Sequence, residues 1–159
     1  MPTPDQPWRE AMISKATSVR SVLTQHPWAL GLIESRRHPG PALLCHHNAL
    51  LGCLRSNGFP VVLATHAFSA VDAYVFGFVL SELNLPMAPG ESAEEFVQGI
   101  GLLTEAYPYL AEMLAEQVVG KNFSYADEFN YGLELILDGL EERLPRSHGR
   151  GRGSTVCSS

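Results

Sequence analysis

Apolar side chains recur every three or four positions along almost the whole chain, and proline or glycine stands at the interruptions, which is the pattern of helices joined by turns. Trp8, Met12, Ala16, Val19 and Leu23 fall on one side of a helix over residues 7–25, ended by the bend at His26 and Pro27. Leu30 to Ile33 read as a short helix. Residues 36–41, RRHPGP, read as a loop, because two prolines and a glycine so close together cannot stay helical. Over residues 42–57, Leu43, Leu44, His47, Leu50, Leu51 and Leu54 form a continuous stripe, and Gly58 supplies the left-handed residue that closes the helix. Pro60 opens the next helix as a first-turn residue, and that run, 60–83, is apolar on nearly all sides.

Residues 84–91 hold Pro86, Pro89 and Gly90 and form a connection. Ser92 and Glu95 make a capping box ahead of a helix carrying Phe96, Ile100 and Leu103. A further helix covers 108–119, residues 120–123 break it, and Ser124 with Asp127 caps a last long helix that ends near Leu144. The expected fold is all-α, a bundle of about six to seven helices over residues 1–144. Residues 145–159 have no apolar content to bury and read as a disordered Gly/Arg/Ser tail.

Two of these helices are more apolar than a single core requires. In the 60–83 helix, Ala70, Ala73, Gly77 and Ser81 put four small side chains on one face. In the last helix, Phe129, Gly132, Ile136 and Gly139 line one seam, while Leu133, Leu137, Leu140 and Leu144 line a second. A helix apolar on two sides packs on two sides. A glycine within a helix costs about 1 kcal/mol against alanine, which close packing explains. The two helices are therefore expected to pair with their copies in a second subunit as a dimeric four-helix bundle, with these eight small or apolar residues at the interface. The 60–83 run is long enough to cross a membrane, but His66 and Asp72 would sit deep in lipid, where an aspartate costs about 3 kcal/mol, so no membrane partner is expected.

Composition narrows the picture. With 159 residues, 45% of them hydrophobic and 18% charged, the chain can bury a core without disulfide or metal. Cys45, Cys53 and Cys157 are sparse and odd in number, and the first two lie about 12 Å apart on an intact helix, too far to share an ion or form a bridge. No metal or other cofactor is expected. His66, Ser69 and Asp72 are the residue types of a hydrolase triad, yet His66 and Asp72 are about 9 Å apart along one helix. No pair meets the geometric test for nucleophile and base, so no enzyme is expected. The net charge of −6 divides into +3 over residues 1–57, −12 over 58–144 and +3 in the tail, which leaves no basic face for nucleic acid. The start, Met1 to Trp8, has no apolar run, so the expected location is cytoplasmic. Aromatic Trp8, Trp28, Phe68, Tyr74 and Phe76, with Lys15, His47, Asn48, His66 and Ser69 isolated on apolar faces, describe a cavity with a few orienting contacts.

The segments GFPVVLATHAFSAVDAYVFGFVLSEL, 58–83, and FNYGLELILDGLEERL, 129–144, together resemble the carboxy-terminal domain of the tetracycline repressor and its TetR-family relatives. WREAMISKATSVRSVLTQHPWALGLIESRR, 8–37, is similar to the earlier part of that domain. The resemblance implies an effector domain that dimerises through the two long helices, binds a small molecule inside the subunit and so shifts an attached helix-turn-helix off operator DNA. Such a head would precede Trp8, where seven residues stand, so DNA is expected as a partner only through a head missing from this chain. Positions that hold metal and drug in the tetracycline repressor look like Ile33, Lys15, Val19 and Leu50 here, which implies a more apolar or aromatic effector than magnesium-tetracycline. The expected pocket comprises Lys15, Val19, Ile33, His47, Leu50, Leu51, His66 and Ser69. Its function is expected to be that of the ligand-binding and dimerisation domain of a negative regulator of transcription; the other reading is a headless protein that heterodimerises with full-length relatives.

Overall fold

The structure, a computed structural model, describes residues 2–35, 40–84, 95, 106–117 and 124–145. Among these it contains six helices and no strand: α1 (Trp8–Gln25), α2 (Trp28–Ser35), α3 (Pro41–Ser56), α4 (Val61–Leu83), α5 (Pro108–Gln117) and α6 (Tyr125–Glu141). The all-α expectation holds. The expected helix from Ser92, the break at 120–123 and the tail from Arg146 lie outside the described residues, although Glu95 is itself helical.

Helix ends follow local chemistry. At the end of α3, Gly58 adopts a φ of 90°, donates its N–H to the Arg55 carbonyl at 3.1 Å, and lets the Phe59 N–H reach the Leu54 carbonyl at 3.1 Å. This pair of bonds satisfies carbonyls that the helix end would leave open, and it turns Phe59 into the core. The Phe59 ring then meets Trp8 edge-on, with centroids 4.9 Å apart, and both are buried. Pro60 stands one position before α4, and its carbonyl accepts from Ala64 N–H at 2.9 Å. Ser124 caps α6, its hydroxyl accepting from the Asp127 N–H at 3.4 Å.

The core lies where α1, α3, α4 and α6 meet. α4 is the central element: Ala64, Ala67, Val71, Val75 and Val79 form its buried stripe. Against it pack Ala11, Met12, Ala16 and Leu23 of α1, Leu50, Cys53 and Leu54 of α3, and Phe129, Leu133, Leu137 and Leu140 of α6. Ionic bonds fasten α1 at both ends. Near its start Arg9 reaches Glu134, Asp138 and Glu141 of α6. Near its end Arg20 forms a two-pronged pair with Glu82 of α4, at 3.0 and 2.6 Å, and lies 4.8 Å from the centre of the Phe129 ring. Such a fork restrains both distance and orientation. α4 is long and apolar enough to cross a membrane by length and composition. In this bundle its inward stripe is used for packing on three other helices.

Candidate ligand-binding cleft

Ala11, Ser14, Lys15, Ser18 and Val19 recur at helical spacing and so share one strip of α1. Together with His46 of α3 and with Pro2 and Gln6 before α1, they line a cleft of about 340 Å³. The wall formed by the chain before α1 is held in place, since the Gln6 carbonyl accepts from the Asn57 side-chain amide at 3.0 Å and from the Cys53 thiol at 3.4 Å. Burial pushes the Cys53 thiol above its usual range, so it stays protonated.

Lys15 gives the cleft its chemistry. Among the described residues it is the one buried charged side chain. Its ammonium is paired with Asp72 of α4 and lies 4.3 Å from the centre of the Phe68 ring, one turn away on the same helix. His47 meets that ring edge-on, with centroids 4.7 Å apart. A buried ammonium without a carboxylate would be strongly unfavourable, and the pair with Asp72 removes that penalty. His46, first through burial and then through the Lys15 charge, titrates below the ordinary imidazole value of 6.5 and is neutral at neutral pH. A hollow of about 600 Å³ at the end of α6 is lined by Asp138, Glu141, Glu142 and Leu144 and lacks this convergence of elements.

The chain matches the family described as tetracyclin repressor-like, C-terminal domain, over residues 1–144. The chain belongs to the TetR family. It is 29% identical over 154 residues to the HTH-type transcriptional repressor DrrR1 of Streptomyces coeruleorubidus, covering 91% of this chain and 56% of that protein. It is 35% identical over 75 residues to an HTH-type transcriptional regulator of Saccharopolyspora erythraea, covering 47% of this chain and 32% of the relative. The chain thus spans about half or less of the curated relatives it matches. A crystal structure of a possible TetR family transcriptional regulator from Streptomyces coelicolor superposes with a TM-score of 0.69 at 28% identity, covering 88% of this chain and 67% of that one.

In this TetR-family domain the expected pocket residues are divided. Lys15 and Val19 line the cleft. His47 is half-buried against Phe68, and Leu50 is fully buried in the core with Leu51 half-buried at its edge. Leu50 is therefore a packing residue. Ile33 lies in α2, its side chain outside the described part. His66 and Ser69 are exposed and do not line the cleft, because each stands two positions beyond a buried alanine of α4 and so points roughly 200° away from it. Pro2, Gln6, Ala11, Ser14, Ser18 and His46 complete the lining without having been expected there, and Asp72 joins them as the partner of Lys15. Asp72 carried a readable signal: it is the sole charged residue between positions 61 and 81, and a lysine on an apolar helix face requires a carboxylate.

The expected interface residues are divided as well. Ala70, Ala73, Gly77 and Ser81 are exposed along the outward face of α4, and nothing lies within 4 Å of where a Gly77 side chain would begin. Phe129, by contrast, is buried inside its own subunit, stacked on Tyr74 at 5.5 Å and met edge-on by Phe78 at 5.1 Å. Gly132 lies against the Tyr74 phenol, whose hydroxyl donates to the Phe129 carbonyl at 2.9 Å. The surface these two residues were expected to offer a second subunit is already used within the first. Ile136 and Gly139 are half-buried, and beside them Tyr131 and Leu135 are exposed.

Proposed function

We propose that this TetR-family domain binds a small apolar or aromatic effector in the cleft between α1 and α3. It forms a homodimer through the outward faces of α4 and α6, and in the full-length cytoplasmic regulator it relieves repression by moving a helix-turn-helix head. Ligand binding is supported above all by the buried Lys15–Asp72 pair at a cleft that three separate stretches of chain build, a volume at the lower end of the roughly 300–1,000 Å³ typical of small-molecule sites. Pro2 and Gln6 form one wall of that cleft, so an occupant touches the segment that leads toward an upstream head. Dimerisation is supported by the outward face of α4, where Val61, Val62 and Leu80 are 64, 68 and 54% exposed and flank the small residues Ala70, Ala73 and Gly77. With Phe129 and Gly132 used internally, the α6 share of the interface falls to Ile136, Gly139, Tyr131 and Leu135.

Native mass spectrometry of the chain purified from its host tests both parts. A two-chain species that retains a small molecule is the expected result. A ligand-free monomer at micromolar concentration overturns the proposal.

A further inference from the structure

Among the described residues that line the cleft, the one buried charge is already balanced, and this restricts what can enter it. The Lys15 side chain is 6% exposed, and Asp72 neutralises its ammonium. An ammonium has three N–H bonds. One serves the Asp72 carboxylate and the Phe68 ring face receives the charge, which leaves donor capacity for an acceptor arriving from the cleft. His46, the other titratable group on the lining, is uncharged at neutral pH for the reasons given above. Ala11, Ser14, Ser18 and Val19 carry no charge. A charged ligand would therefore lose its hydration with no free countercharge among the described lining residues to replace it. A cation would face Lys15, and an anion would compete with Asp72 for it.

From these groups we infer that the site takes an uncharged molecule bearing a carbonyl oxygen, which accepts a hydrogen bond from Lys15 while its apolar body lies against Ala11 and Val19. The Ser14 and Ser18 hydroxyls, one turn apart, border the polar end. This inference rests on the ligand-binding reading above and narrows it to a chemical class.

The test is a displacement titration on the 159-residue chain. Neutral N-phenylnaphthylamine serves as the fluorescent reporter, and matched acetonaphthone, ethylnaphthalene, naphthoate and naphthylmethylammonium serve as competitors. Acetonaphthone is expected to bind about tenfold or more tightly than ethylnaphthalene, the worth of a hydrogen bond from a charged donor, and more tightly than either ion. Replacing both charges together, Lys15→Met with Asp72→Leu, leaves no unpaired ion in the core. That variant is expected to keep the helical circular dichroism of the unaltered chain and to bind the ketone no more tightly than the hydrocarbon; a ketone preference retained in the folded variant overturns the inference. Equal affinity of ketone and hydrocarbon in the unaltered chain, or tighter binding of either ion, overturns the inference and leaves the pocket standing. Absence of saturable reporter binding overturns the pocket and the inference together.

Discussion

The inward face of α4 carries Ala64, Ala67, Val71, Val75 and Val79, each at most 2% exposed, whereas its outward face carries Val62, Ala70, Ala73, Gly77 and Leu80, open to solvent. Both faces are apolar, so hydrophobicity alone does not distinguish them. What differs is the partners of the polar groups beside each face. Flanking the inward stripe, Asp72 holds Lys15, Glu82 holds Arg20, and the Tyr74 hydroxyl donates to the Phe129 carbonyl, so three directional bonds tie that side to α1 and α6. On the outward side the hydroxyls bond back to their own helix, Thr65 to the Val61 carbonyl and Ser81 to the Gly77 carbonyl, each at 3.0 Å. That satisfies these hydroxyls without outside help, on a face where small residues alternate with exposed Val62, His66 and Leu80. An apolar helix face of this kind suits contact with a second helix whose position is set by shape.

The sharpest way to break this contrast is to remove the ionic bond beside the inward face. Asp72→Asn strands the Lys15 ammonium in the core and is expected to lower the unfolding free energy by about 3–5 kcal/mol in urea denaturation. Lys15→Met added to Asp72→Leu should recover most of the loss, because no buried charge is then unpaired. Charging the outward face should do the reverse. Gly77→Arg, at an exposed position with open space before it, is expected to leave the subunit folded by circular dichroism. It should weaken self-association by about a hundredfold or more in sedimentation equilibrium, because an unpaired charge would be trapped between subunits. Unchanged association would remove α4 from the interface.

Two glycines sharpen the same comparison with smaller effects. A side chain at Gly132 would begin 2.9 Å from Tyr74 Cζ, in a ring fixed by stacking and by its hydrogen bond, so Gly132→Ala should cost about 1–3 kcal/mol in thermal or urea unfolding. Gly77→Ala meets nothing within 4 Å, so in dilute, dissociated subunits it should add up to about 1 kcal/mol of helix stability. If a second subunit packs closely there, that gain shrinks as concentration rises into the dimeric range.

The smallest expected effect concerns His46. By proton NMR its titration midpoint should fall below 6.5, and it should rise in the Lys15→Met, Asp72→Leu variant, because the lowering effect of Lys15 that is removed exceeds the raising effect of Asp72 removed with it. Because the folded state resists this proton and the unfolded chain accepts it, stability should decline as pH falls through 6.5 toward the depressed midpoint.

Local residues made much of this legible in advance. Gly58 and Ser124 each have one evident conformational role, and both perform it at the expected helix ends. The helix over 7–25 appears as Trp8–Gln25, and the last one ends at Glu141, slightly short of Leu144. Most of the cleft lining was less accessible. Lys15 stands out in the sequence as a polar group isolated on an apolar face, and Val19 is placed beside it by family resemblance, but His66 and Ser69 are ranked no differently because α4 offers two apolar faces. The small-residue argument met the same difficulty: within the subunit, close approach occurs at Gly132, beneath Tyr74, while Gly77 lies open.

Periodicity, punctuation and composition were enough to determine an all-helical domain and the rough limits of its helices, since those follow from interactions within a few residues of each position. The pairing of Lys15 with Asp72, 57 positions apart, and the filling of the Gly132 notch by a ring from another helix were decided only when the chain closed. Helical spacing assigns a residue to a face, but which face turns inward depends on the shapes and charges that distant helices bring to it.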